Sequence, residues 1–112
     1  MKLDNWLAQR AQTGPDRTAL IADGVELSYG ELEEEATRAA RRLAARGVRR
    51  GATVVISRRA GVEYVIALHA LMKLGAVAHP LDPRLARAER EAELERAAPL
   101  LVLGDDDQQT MS

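Results

Sequence analysis

Cysteine and phenylalanine are absent from this chain of 112 residues, and aromatic side chains make up only 3% of it. The lack of cysteine excludes a disulfide scaffold, thiol catalysis and a metal site with cysteine ligands. The scarcity of aromatic rings argues against a stacking platform for single-stranded nucleic acid. Sixteen basic and seventeen acidic residues leave a net charge of −1. The overall charge therefore favours no nucleic-acid partner.

Long hydrophobic runs are also missing. The first ten residues contain no apolar segment of the kind found in secretory signal peptides. The longest nearly apolar stretch, residues 64–72, is interrupted by His69 and is too short to cross a bilayer. We therefore expect a cytoplasmic protein that does not bind a membrane.

The chain does have the composition of a globular domain, with 46% hydrophobic and 29% charged residues. Its length leaves room for one domain. We expect residues 1–112 to form a single unit in which residues 104–112 are a polar, solvated tail.

Helix-like and strand-like segments alternate along the chain. The first predicted helix has Leu3, Trp6, Leu7 and Ala11 at helical spacing, with Asp4 and Asn5 as capping residues. A β-hairpin follows around Asp23 and Gly24. The pattern then predicts a helix over 29–46, a strand over 53–56, a helix over 62–74, a strand over 76–78, a helix over 84–97 and a strand over 100–103. This order predicts an α/β fold, with an N-terminal helix and hairpin and then a βαβαβ-type parallel sheet with flanking helices.

Few residues point to chemistry. The eight glycines are scattered, and the sequence contains neither GxGxxG nor GxxxxGK[ST] as a phosphate-binding loop. His79 ends a predicted parallel strand, and Arg58 and Arg59 follow another, at the sheet edge where α/β proteins bind ligands. These three are weak candidates for cofactor or anion binding, and solvated loop residues are the alternative. We expect no catalytic residue, no metal site and no cofactor held by this chain alone.

Two segments carry structural signatures. Ser28 and Glu31 have the spacing of a capping box at the start of the helix predicted over 29–46. Gly75 is placed to end the helix before it, and Pro80 to close the short strand that follows. Asp82 precedes a proline, which predicts that Asp82 is the N-cap of the last helix.

Both segments resemble core motifs of the adenylate-forming ligases, the superfamily of acyl-CoA synthetases, peptide-synthetase adenylation domains and luciferase. Residues 27–32 (LSYGEL) resemble the first motif, and residues 71–85 (LMKLGAVAHPLDPRL) resemble the second. Residues 6–11 and 15–20 are also similar to this superfamily, most of all to bacterial o-succinylbenzoate–CoA ligases of menaquinone biosynthesis. The resemblance covers residues 3 to about 103, and its motif positions are Ser28, Tyr29, Glu31, Leu32, Gly75, Pro80 and Asp82.

The resemblance implies part of the N-terminal subdomain of the ligase fold. In this family a carboxylate attacks the α-phosphate of ATP, with Mg²⁺ on the phosphates, and a thiol of CoA or of a carrier protein then displaces AMP. The family's phosphate loop, adenine and ribose sites and catalytic lysine lie downstream of the matched region. The resemblance therefore implies an N-terminal fragment of an ATP-dependent, AMP-forming acid–thiol ligase, inactive alone, whose partners are the rest of the ligase domain and a small carboxylic acid. ATP, Mg²⁺ and CoA are implied for the full-length enzyme.

Two residues depart from the family's pattern. His79 stands where an aromatic or aliphatic residue is common, and Arg90 stands where an apolar residue is usual, which weakens the docking face of the last helix. One alternative to a ligase fragment is a complete, non-catalytic α/β module that binds a partner through an open sheet edge. A fragment is expected to self-associate through apolar surface, whereas a natural module is expected to be a monomer or a defined dimer.

Overall fold

The structure is a computed structural model that describes residues 6–104, in which four helices and five strands occur. The elements in chain order are α1 (Trp6–Thr13), β1 (Thr18–Ala22), β2 (Val25–Ser28), α2 (Tyr29–Ala45), β3 (Thr53–Ser57), α3 (Val62–Leu74), β4 (Val77–Pro80), α4 (Arg87–Ala97) and β5 (Leu101–Gly104). This order confirms the predicted α/β fold class.

A two-residue turn joins β1 and β2 into an antiparallel hairpin, as predicted. Asp23 and Gly24 have φ angles of 55° and 73°. Two successive positive φ angles match the right-handed twist of the flanking strands, and Asp-Gly is among the pairs that tolerate them best. The hairpin contacts α2, which connects it to the rest of the molecule.

A capping box starts α2, as predicted. The Ser28 side chain accepts a hydrogen bond from the Glu31 N–H (3.1 Å), and the Glu31 carboxylate accepts one from the Ser28 N–H (2.8 Å). The helix packs against α3 and α1 through one apolar face. The buried residues of that face are Leu32, Ala36, Ala39, Ala40 and Leu43.

Three parallel strands in the order β4-β3-β5 form the second sheet. The central strand β3 is covered on both sides, and Val54, Val55 and Ile56 have no exposed surface. Burial on both faces explains why this strand is continuously apolar. The chain passes through α3 from β3 to β4 and through α4 back past β3 to β5. The right-handed crossover that is the rule between parallel strands puts two such helices on opposite faces of a sheet.

The hydrophobic core lies between α2, α3 and β3. Its buried residues are Leu7, Leu32, Ala36, Ala39, Ala40, Leu43, Val48, Val54, Ile56, Ile66, Ala67, Ala70, Leu71 and Leu103. The two helices contact each other, and both bury alanines, whose small side chains leave room for close packing. No helix within residues 6–104 is long and apolar enough to cross a membrane.

The predicted start of the last helix was wrong. The helix α4 begins at Arg87, with Ala86 as N-cap, and not at residue 84 behind Asp82. The Asp82 carboxylate instead accepts a hydrogen bond from the Arg84 N–H two residues on (2.9 Å). An aspartate bonded to its own backbone in this way forms a local turn that competes with helix formation.

Two other boundaries also differ from the prediction. Pro80 pairs with Ile56 as the last residue of β4, which is an outer strand where proline is tolerated. Gly104, assigned to the polar tail, is the last residue of β5. The rest of that tail, like Leu3, Asp4 and Asn5, lies outside the described residues.

Candidate functional site

The carboxyl ends of the three parallel strands meet at one edge of the sheet. Register places Ile56 opposite Pro80 and Ser57 opposite Gly104, so the loops after all three strands leave the sheet together. This is the edge at which open α/β sheets bind ligands. Arg58 and Arg59, two of the three candidates found in the sequence, follow β3 here.

Two of the clefts at this edge share Arg58 and Arg59. The edge cleft, about 690 Å³, lies between the β3 and β4 loops, and its residues include Arg58, Arg59, Tyr64, Leu81, Asp82 and Arg84. The hairpin cleft, about 680 Å³, lies between the β3 loop, the hairpin and α2, and its residues include Asp23, Glu31, Glu34, Glu35, Arg58 and Gly61. Each cleft is lined by three arginines, but the edge cleft has one carboxylate and the hairpin cleft has five.

Arg58 and Arg59 differ sharply in burial. The Arg59 side chain is exposed, as expected for a solvated loop, but Arg58 is only 4% exposed. Among the described residues, no hydrogen-bond acceptor reaches Nε or Nη2 of Arg58. The sequence predicted a pair of equivalent arginines and gave no signal for which of them is buried.

His79, the third candidate, lies apart from the two arginines. It pairs with Val55 inside the sheet, and its Nε2 lies 3.8 Å from the Glu93 carboxylate on α4. The ring lines neither of the two clefts described above. His79 therefore connects strand β4 to helix α4.

Arg90 connects α4 to the sheet edge. Its guanidinium donates a hydrogen bond to the Oγ atom of Ser57, a buried residue at the end of β3. Arg90 is itself partly buried. The helix therefore docks partly through a polar contact at the position where the family pattern has an apolar residue.

The hairpin caps α3 through a contact that the sequence did not reveal. The Asp23 Oδ2 atom accepts a hydrogen bond from the Val62 N–H at 3.3 Å, across 39 positions of the chain. The N-cap residue Gly61 has no side chain to do this. A Cβ atom at Gly61 would lie 2.4 Å from Asp23 Oδ2, so only glycine fits beside the carboxylate as it stands. Local sequence patterns cannot find a cap supplied from so far away.

Asp82 and Arg84 form an ion pair on the exposed turn after β4. The Arg84 Nε atom lies 3.1 Å from the Asp82 Oδ1 atom. Hydrogen bonds from the Arg84 side chain and backbone lower the pKa of the Asp82 carboxyl, and the pairing raises the pKa of Arg84. The Asp82 carboxylate is therefore engaged locally.

The residues at the family motif positions make structural contacts within this chain. Ser28 and Glu31 cap α2, Leu32 is in the core, and the Tyr29 ring meets Trp6 edge-on at 6.0 Å. Gly75 ends α3 in the left-handed conformation, with φ 69°. Each of these contacts is internal to the scaffold.

The described residues contain no ready grouping of metal-binding side chains. Within residues 6–104, no group of three or more histidine, aspartate or glutamate side chains is placed to hold a metal ion. The sequence has no glycine-rich phosphate loop either.

Comparison with known proteins gives one consistent family. The AMP-binding enzyme family matches residues 7–112. The 2-succinylbenzoate–CoA ligase of Bacillus subtilis (strain 168) is 40% identical over 101 residues, which are 90% of this chain and 21% of the relative. The corresponding ligase of Bacillus cereus (strain ATCC 10987 / NRS 248) is 34% identical over 94% of this chain and 22% of the relative. The chain thus spans about a fifth of the length of these relatives.

Solved structures agree in fold. The B. subtilis o-succinylbenzoate coenzyme A synthetase (MenE), in complex with ATP and magnesium ion, superposes with a TM-score of 0.85 at 40% identity, over 90% of this chain and 28% of that one. The matched part is the N-terminal portion of the ligase fold. With the family match extending over nearly the whole sequence, this chain belongs to the AMP-binding enzyme family.

Proposed function

We propose that this chain is the N-terminal part of an ATP-dependent, AMP-forming acid–thiol ligase. One observation carries the proposal: 94% of the chain aligns with about a fifth of a 2-succinylbenzoate–CoA ligase. In such an enzyme a carboxylate first attacks the α-phosphate of ATP, which releases pyrophosphate and gives an acyl-adenylate. A thiol then displaces AMP to give a thioester. The other four-fifths of a relative's length would supply the nucleotide site and the catalytic groups.

The substrate we propose is o-succinylbenzoate, with CoA as the thiol and menaquinone synthesis as the setting. The 40% identity to the B. subtilis ligase and the structural match to the ATP- and magnesium-bound synthetase support this choice. ATP and Mg²⁺ would bind outside the segment described here. We further propose a cytoplasmic location, where ATP and CoA are available.

The contribution of this chain would be a scaffold. Its core joins α2, α3 and β3, and its family motif residues make internal caps and packing contacts. Such a segment can hold neighbouring parts of a ligase in place but provides no preorganised charge for phosphoryl chemistry. The partner of this scaffold would be the rest of the ligase domain.

The test is an assay of the complete product of this gene. Incubated with ATP, Mg²⁺, CoA and o-succinylbenzoate, it should release AMP and form the CoA thioester only when the carboxylic acid is present. Benzoate and succinate serve as substrate controls. Acid-dependent AMP release with another carboxylate would retain the ligase but replace the substrate, and a lack of AMP release with any carboxylate would contradict the ligase assignment.

We also propose that the 112-residue chain by itself self-associates through an open sheet edge. The outer strands β4 and β5 each pair on one side only within the described sheet. Val77, which begins β4, and Leu100, which precedes β5, are 51% and 50% exposed. Unpaired strand edges beside apolar side chains favour association between chains. Sedimentation equilibrium should show mass increasing with concentration, reduced by Val77→Lys, and a concentration-independent monomer would contradict this.

A further inference from the structure

The end of α1 and the start of α2 enclose a cleft that shares no residue with the edge cleft or the hairpin cleft. This α1 cleft holds about 400 Å³ and is lined by Arg10, Thr13, Gly14, Arg17, Thr18 and Tyr29. Backbone hydrogen bonds tie its walls together. The Arg17 N–H donates to the Gly14 carbonyl (3.1 Å), and the Tyr29 N–H donates to the Arg17 carbonyl (2.8 Å). The fold therefore forms the cleft before any ligand binds.

The lining of the α1 cleft carries positive charge alone. Arg10 and Arg17 line it, and no carboxylate does. Both arginines are exposed, and within residues 6–104 neither side chain forms an ion pair. Arg10 lies in the last turn of α1, and the carboxyl end of a helix carries about half a negative charge. Most of the charge of the two arginines therefore remains unbalanced.

Contacts with neighbouring residues position both arginines. The guanidinium carbon of Arg10 lies 5.9 Å from the centroid of the Trp6 ring and 6.0 Å from that of the Tyr29 ring. Aromatic rings attract a cation but bring no net charge, so these contacts hold Arg10 without neutralising it. The Arg17 side chain lies against Gly14, where a Cβ atom would be 3.1 Å from its Cδ and 3.6 Å from its Nε. Both side chains are thus held against the wall of the cleft.

The two threonine hydroxyls of the α1 cleft are already engaged. Thr13 donates a hydrogen bond to the Gln9 carbonyl (3.2 Å), and Thr18 donates one to the Glu26 carboxylate (2.5 Å). Glu26 does not itself line the cleft. A ligand would therefore be held by the arginines, since each guanidinium has five N–H donors.

We propose that the α1 cleft is a binding site for a phosphate group, held by charge-assisted hydrogen bonds from Arg10 and Arg17. A phosphate dianion balances two positive charges, whereas a carboxylate balances one. The planar guanidinium also matches the geometry of phosphate oxygens. The phosphate group belongs either to a free ion or to an ester. The proposal does not depend on the ligase activity proposed above.

Nuclear magnetic resonance tests this on the 112-residue chain. Inorganic phosphate, phenyl phosphate and acetate are titrated separately at slightly alkaline pH, with sodium chloride keeping the ionic strength constant. The backbone N–H resonances of Gly14 and Thr18 should shift and saturate with phosphate, and acetate should bind more weakly. Tighter binding of phenyl phosphate would assign an ester as the ligand, and equal binding would assign the free ion. If neither phosphate compound gives a saturable shift, or if acetate binds as tightly as phosphate, the proposal is overturned.

Variants separate specific binding from a general salt effect. Arg10→Gln and Arg17→Gln should each weaken phosphate binding by about tenfold, and Arg17→Gln, which touches no aromatic ring, serves if Arg10→Gln does not fold. Glu26→Gln removes a negative charge beside the cleft and should tighten binding by about twofold. Arg49→Gln removes an exposed charge outside the cleft and should leave binding unchanged. Equal affinities of Arg17→Gln and Arg49→Gln for phosphate would contradict the proposal.

Discussion

At the scale of single residues, His69 shows how packing changes the chemistry of a side chain. It lies on α3, half-buried, and its ring stacks on Trp6 with centroids 6.1 Å apart. Burial is the largest influence and lowers the pKa of His69 below the ordinary value of 6.5, with a further lowering from Lys73 and an opposing effect from Glu33. The folded chain therefore favours the neutral ring.

The stability of the fold should consequently depend on pH through His69. Below pH 6.5 the unfolded chain binds the proton more readily than the folded one, so the free energy of unfolding falls as pH is lowered towards the folded pKa. Above pH 6.5, His69 makes its full contribution to the free energy of unfolding, and that contribution no longer changes with pH. Denaturant titrations at several pH values in this range should show that the free energy of unfolding depends less steeply on pH in His69→Gln than in the wild type. An NMR titration placing the pKa of His69 at or above 6.5 would refute this account.

Gly61 illustrates a second effect at the residue scale, the close approach of a distant side chain. In Gly61→Ala the new Cβ would force the Asp23 carboxylate to rotate away and give up its hydrogen bond to the Val62 N–H. We expect a loss of about 1 kcal/mol in the free energy of unfolding. In an Asp23→Gly background, which has already lost that carboxylate, the same substitution should cost less. Additive losses in the double variant would show that the contact does not stabilise the fold.

At the scale of elements, the capping box decides where α2 begins. Ser28→Ala removes the acceptor for the Glu31 N–H and should lower the free energy of unfolding by about 1 kcal/mol. Glu31→Gln should have a smaller effect because its amide oxygen can still accept from the Ser28 N–H. Glu34→Gln changes an exposed charge on the same helix and is the control. If Ser28→Ala and Glu34→Gln unfold at the same denaturant concentration, the cap contributes nothing measurable.

The elements that could be predicted from the sequence are those with local signals at both ends. The capping box and the apolar face of α2, and the glycine that ends α3, predicted both helices to within a residue. The start of α4 was missed because Asp82 bonded to Arg84 instead of capping a helix. Local sequence patterns do not show whether Asp82 will cap a helix or bond to Arg84.

The candidate site was only partly predictable, for a physical reason of the same kind. Strand order along the sequence was enough to place Arg58 and Arg59 at the carboxyl edge of the sheet. The burial of Arg58, the turning of His79 towards Glu93 and the capping of α3 by Asp23 depend on contacts between segments far apart in the chain. Such contacts leave no periodic pattern in the sequence.

At the scale of the whole molecule, the proposed function predicts that this chain does not catalyse adenylation alone. The 112 residues contain no phosphate loop, and no metal site is found within residues 6–104. Exchange of labelled pyrophosphate into ATP should stay at the level of a buffer blank, with or without o-succinylbenzoate. The complete gene product, assayed in parallel, is the positive control. Carboxylate-dependent exchange by the 112 residues would show that a catalytic site lies within them.

The central claim, that this chain is one part of a ligase, is tested most directly by the intact mass of the gene product isolated from its own cell. Because 105 aligned residues are 22% of a relative, the account predicts a mass about four to five times the 12.2 kDa of this chain. A mass near 12.2 kDa would contradict it and would favour the alternative of a natural, non-catalytic α/β module that binds a partner.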